Sequence, residues 1–213
     1  MPGPARPDRF VPSTHGFAFT NSWPALPAFT FWRARPASRL RSVRIGNTAN
    51  GLCGGMVFAA LDFWHAGRRP PADRPAGGEP LFRFLVRRLI DSWRLPVTGV
   101  RYYRWMWRSD ADVAARTRRE WPAIRAELER GVPVPLGIVT TASRDPRLIG
   151  RNHQVLAYAV QDQKIQVYDP NRGQRDDVFI AAQPDGYTHN LDIAYAIRGF
   201  FRVAYRARNP PPS

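Results

Sequence analysis

The apolar pattern of this chain changes period near residue 131, and that change limits the folds open to it. Upstream, apolar residues recur at helical spacing: a run from Val57 to Trp64 that ends near Gly67, then Leu81, Phe84, Leu85, Leu89 and Trp93, then Trp121, Ile124 and Leu128. These predict helices after Cys53, over about Pro80–Arg94 and within 109–130. Ser109 caps the last, Gly131 stops it, and Pro122 is expected near a first turn. Downstream come short β-branched runs, expected as strands at Val132–Thr140, His153–Val160, Lys164–Tyr168, Val178–Ala181 and Phe200–Tyr205. Helices first and strands second predict an α+β fold, an N-terminal helical half packed on a C-terminal antiparallel β-sheet.

With 213 residues the chain suits one domain with a sizeable core. Residues 1–15, rich in proline and polar side chains, are expected to form a flexible arm, and 209–213 a tail. The domain is expected over 16–208, with a helical lobe over about 45–130 and a sheet lobe over about 131–206. The Pro/Gly-rich stretch Gly67–Pro80 is a loop between two helices.

The formal charge is +15, and Lys164 is the only lysine. The arginines are scattered. Their densest groups, Arg87-Arg88 and Arg116, Arg118 and Arg119, read as solvated helix faces. The excess points to an acidic or anionic substrate or partner. Nucleic-acid binding is the less favoured alternative. It rests on charge and on the interleaving Arg101-Tyr102-Tyr103-Arg104-Trp105-Met106-Trp107-Arg108, a stretch that suits a strand or a helix. No zinc-finger, Walker or helix-turn-helix signature accompanies it. No window is apolar enough for a membrane span, and no signal peptide is seen. The default compartment is therefore cytoplasmic, with non-classical export left open.

Cys53 is the only cysteine, which excludes an intramolecular disulfide framework and a cysteine metal cage. No metal or other cofactor is expected. The thiol stands in Asn50-Gly51-Leu52-Cys53-Gly54-Gly55-Met56, at the first turn of the expected helix. The helix dipole and free N–H groups there favour the thiolate, and the flanking glycines leave the sulfur approachable. A nucleophilic cysteine needs a base, and the base needs a group to orient it. His153 opens its strand and shares a face with Val155, Ala157 and Ala159. Ile165, Val167, Asp169 and Asn171 share that face across the ladder if Val160 pairs with Lys164. His153 then lies opposite Asn171, or opposite Asp169 after a shift of two. Either register brings an acidic or amide group beside the imidazole, at the open end of the hairpin.

The order of these pieces resembles papain-like cysteine peptidases, especially the bacterial C39-like branch. They are the glycine-flanked cysteine heading a helix, Trp121–Val134, Asn152-His153-Gln154-Val155-Leu156-Ala157-Tyr158 and Ile165-Gln166-Val167-Tyr168-Asp169-Pro170-Asn171. The resemblance covers about residues 45–171. It implies a papain-like α+β fold and acyl transfer through a thioester, with a peptide or other acyl compound as substrate. In that scheme Cys53 is the nucleophile, His153 the general base and then acid, and Asp169 the orienting group. The family carries an oxyanion-binding glutamine six residues before the cysteine, where this chain has Asn47. Asn47, Asn50 or backbone N–H groups at Cys53 are the candidates for that task, with Gly54 and Asn171 in support. A papain-like binding module without catalysis is the alternative that the Asn47 substitution favours.

Overall fold

A computed structural model describes residues 9–23, 51–94 and 97–212. The described residues hold helices α1 (Pro12–His15), α2 (Cys53–His65), α3 (Pro80–Trp93), α4 (Val97–Met106) and α5 (Asp110–Glu129). Strands follow: β1 (Val134–Val139), β2 (His153–Gln161), β3 (Lys164–Tyr168), β4 (Phe179–Gln183), β5 (Gly186–His189) and β6 (Gly199–Arg202). The architecture is α+β, helices first. The sheet order is β5-β4-β3-β2-β1-β6, and every neighbouring pair is antiparallel.

Both faces of this sheet are covered, which is why all six residues of β1 are buried. Leu156, Tyr158, Tyr168 and Phe201 face a core built from α2, α3 and α4. Leu136, Val155, Val167 and Phe200 face a second core closed by Ile124 and Leu128 of α5. The helical half thus divides across the two faces rather than stacking on one. α2 is buried along nearly its whole length. Gly55 lets it approach α3, because a Cβ there would collide with the Leu85 carbonyl.

Several expectations need correction. Residues 9–15 are not a loose arm: Phe10 is fully buried between α2 and the sheet, and Pro12–His15 form a helical turn. The tail is tied down as well, since the Arg68 guanidinium donates to the carbonyls of Pro210 and Pro211. Pro122 sits in the interior of α5, not in a first turn. It is exposed, so the carbonyl it leaves without a helical partner is open to water. The 97–106 stretch is a helix that turns Tyr102, Trp105 and Met106 inward. Arg88 is no solvated residue. It lies buried against Asp62, Nε to Oδ2 at 2.7 Å, with Phe58 and Tyr205 beside its guanidinium plane. Asp62 also accepts from the Tyr205 hydroxyl at 2.7 Å and the Arg208 N–H at 2.8 Å, so the cluster fastens the C-terminal segment to α2 and α3.

Candidate active site

Three side chains meet where α2 begins, β2 begins and β3 ends. The His153 ring lies beside Cys53, close enough to feel its charge, and is held through Nε2 by Asp169 Oδ1 at 2.7 Å. That leaves Nδ1 as the nitrogen for the thiol. Cys53 and His153 are 9% and 6% exposed, and Asp169 is fully buried. A charge in such a place needs partners. Asp169 has them: Oδ1 also accepts from the Asn171 N–H at 2.9 Å, and Oδ2 from the Asp192 N–H at 3.1 Å.

The strand register explains how His153 and Asp169 come to one face. The hairpin turn has two residues, Asp162 and Gln163, with Gln161 opposite Lys164 rather than Val160. Continued without a break, that register would turn His153 and Asp169 to opposite sides of the sheet. A bulge at Tyr158 intervenes, after which Ala157 pairs with Val167 and Leu156 with Tyr168. Extended to the strand end, this pairing sets His153 opposite Asn171 as anticipated. The bulge also moves Ala159 off the His153 face: Ala159 packs in the first core, while Val155 and Ala157 pack in the second.

The electrostatics follow from this burial. Desolvation alone would lower the pKa of His153. The Asp169 carboxylate and Cys53 beside the ring outweigh it and push the value up to about 10. Burial likewise works to raise Asp169, but His153 and the two backbone N–H groups hold it below the usual carboxylate value. The arrangement stabilises an imidazolium between two groups able to carry negative charge.

Supporting residues fix the three elements. Tyr102 of α4 donates its hydroxyl to the His153 carbonyl at 2.8 Å. The Asn152 side-chain oxygen accepts from the Thr140 N–H at 3.1 Å, anchoring the start of β2 to the end of β1. Asn21 joins the turn before Cys53 to the turn that follows Asp169. Its Oδ1 accepts from the Leu52 N–H at 2.6 Å, its Nδ2 donates to Asn171 Oδ1 at 3.0 Å, and its N–H donates to the Pro170 carbonyl at 2.9 Å. Gly51, with φ of 82°, packs directly on the Asn21 amide. Sequence reading missed Asn21, Tyr102, Asn152 and Asp192. Their partners lie 12 to 150 residues away, and no local pattern marks them.

Of the proposed supporting residues, Asn171 braces the acid turn: its Nδ2 donates to the Asp192 carbonyl at 2.7 Å. Gly54 leaves room for Ser92 and for the Gln154 amide, which would sit 2.7 Å from a Cβ placed there. Asn47 and Asn50 lie outside the described residues. Leu52, the N-cap of α2, supplies no side-chain cap, so among the described residues no cap side chain occupies the first-turn N–H groups beside Cys53. His15 accepts from the Val11 N–H, His65 stacks on Tyr205, and His189 closes β5. Among the described residues no group of three or more His, Cys, Asp or Glu is arranged to hold a metal ion, and no helix is long and apolar enough to cross a membrane. The chain matches no known family, no curated protein and no solved structure.

Proposed function

We propose that this chain is a thiol-dependent hydrolase of the papain-like type, related to the C39-like peptidases, that cleaves amide bonds through Cys53, His153 and Asp169. The observation that carries this reading is the buried His153 ring, held by Asp169 Oδ1 at 2.7 Å and close enough to Cys53 at the head of α2 to feel its charge. A histidine that merely filled a strand end would not need a buried carboxylate on one nitrogen and a thiol on the other.

In this reading His153 takes the proton of the Cys53 thiol, and the sulfur left behind is the nucleophile. The sulfur attacks the carbonyl carbon of the substrate, and the carbonyl oxygen takes up the negative charge. First-turn N–H groups of α2 point to where that charge develops, aided by the positive end of the helix dipole. His153 gives its proton to the leaving amine, the C–N bond breaks, and a thioester to Cys53 remains. Water then attacks the thioester while His153 takes its proton. The C–S bond breaks, the acid product leaves, and the thiolate–imidazolium pair is restored. Asp169 holds the ring in one orientation throughout and balances its charge.

The test is thiol reactivity against pH. Iodoacetamide labelling of Cys53 is expected to stay fast at about pH 6, where an ordinary thiol reacts slowly. His153→Ala is expected to slow it by at least about tenfold. An ordinary thiol profile, unchanged in His153→Ala, would overturn the proposal. Hydrolysis of a peptide library, absent in Cys53→Ala, would then identify the substrate.

A further inference from the structure

We propose that a second site, a cleft between α4 and α5, binds a small phosphorylated ligand. The cleft has a volume of about 330 Å³, and Arg101, Arg104, Arg108, Arg116, Arg119 and Glu120 line it. Two helices that merely packed together would be expected to interleave acids with these bases. Here five guanidiniums line one cleft, and among the described residues only Glu120 and, behind them, Asp112 balance them, which leaves three positive charges uncompensated there.

The arginines are held for the task. Glu120 pairs with Arg101, whose guanidinium lies 4.4 Å from the Phe201 ring centre and 5.4 Å from that of Trp105. Asp112 holds Arg108 at 2.6 Å and Arg116 at 3.1 Å. Arg104 and Arg119 are exposed, and among the described residues neither has a carboxylate partner, which leaves their donor forks open to a ligand. Fixed guanidiniums flanking two free forks suit the several oxygens of a phosphoryl group, which accept in pairs. The volume is near the lower end for a small-molecule site. Val97 and Val100, 62% and 47% exposed, give the rim an apolar surface for the organic part of a ligand.

This cleft is separate from the Cys53 site. α4 turns Tyr102 and Met106 toward His153 and Asn152, and its arginines the other way. The proposal therefore stands whether or not the chain is a hydrolase.

Calorimetric titration with inorganic tripolyphosphate and with ATP, at about 0.15 M salt, tests it. Saturable binding at one site is expected for both probes, and tighter binding for ATP if the apolar rim takes part. Arg104→Ser with Arg119→Ser is expected to weaken binding at least about tenfold. Arg83→Ser with Arg87→Ser removes the same charge from exposed positions on α3 and is expected to leave binding within about twofold. Absence of saturable binding, or equal weakening by both pairs, overturns the proposal. So does an affinity for single-stranded DNA that exceeds that for ATP and grows with strand length, because that marks an extended polyanion surface.

Discussion

Asn21 accepts a hydrogen bond from the Leu52 N–H at 2.6 Å, one residue before the only thiol of the chain. The same side chain donates to Asn171 Oδ1 at 3.0 Å, two residues after the acid. Asn21→Ala is expected to slow iodoacetamide labelling of Cys53 about tenfold and to destabilise the fold by about 1–3 kcal/mol, since it strands buried groups. Asn21→Asp keeps the acceptor for Leu52 and loses the donor for Asn171, so it is expected to fall between wild type and Asn21→Ala. Labelling rates and urea midpoints on the three proteins check this order.

His153 gives a pH dependence with a defined sign. Its folded pKa is raised from 6.5 to about 10, so folding holds a proton that the unfolded chain releases sooner. The stabilisation is fully present below about pH 6.5 and is lost as pH rises through about 10. The urea midpoint is expected to decline over that window. Asp169→Asn removes the negative charge beside the ring and lowers the folded pKa, so the decline should end at lower pH and be smaller. A midpoint that is flat across the window in wild type would contradict the coupling.

The glycines after Cys53 answer to different neighbours. An alanine at 55 meets the Leu85 backbone carbonyl, which cannot swing aside. Gly55→Ala is expected to part α2 from α3 at a cost of about 1–3 kcal/mol. An alanine at 54 meets the side chains of Ser92 and Gln154, which can move. Gly54→Ala should therefore cost less stability and act mainly on Cys53 reactivity. Thermal unfolding and labelling on both variants separate the two effects.

The buried pair of Arg88 and Asp62 predicts an asymmetry. Asp62→Asn leaves Arg88 with only the half-buried Asp91, at 2.7 Å, as counter-charge and is expected to destabilise by about 3 kcal/mol. Asp62→Leu combined with Arg88→Met removes both charges and should recover part of that loss. Denaturant unfolding of the single and double variants measures the difference.

The elements legible in the sequence were those with local signals. Ser109 caps α5 through the Asp112 N–H, and Cys53 heads α2 as its glycine-flanked run suggested. β3 spans Lys164–Tyr168 as its alternation suggested. His153 and Asp169 could be paired from alternation alone, yet by a route that alternation does not contain. The turn is one residue shorter than anticipated, and the bulge at Tyr158 makes up the difference. Partners across long separations left no trace. Nothing near Arg88 announces Asp62, and nothing near residue 21 announces Leu52. β5 escaped notice because Gly186–His189 is short and half-exposed, and its place depends on pairing with β4.

The hydrogen-bonded set around Cys53 draws on residues 21, 52, 153, 169, 171 and 192, from nearly the full span of the described chain. No helix or hairpin assembles it alone. Such non-local constellations close late in folding, after the loop entropy has been spent. They also open with the global transition rather than by local fraying. The reactivity of Cys53 is thus a built-in gauge of cooperativity: its decay in denaturant should overlay the loss of the whole fold, probe for probe.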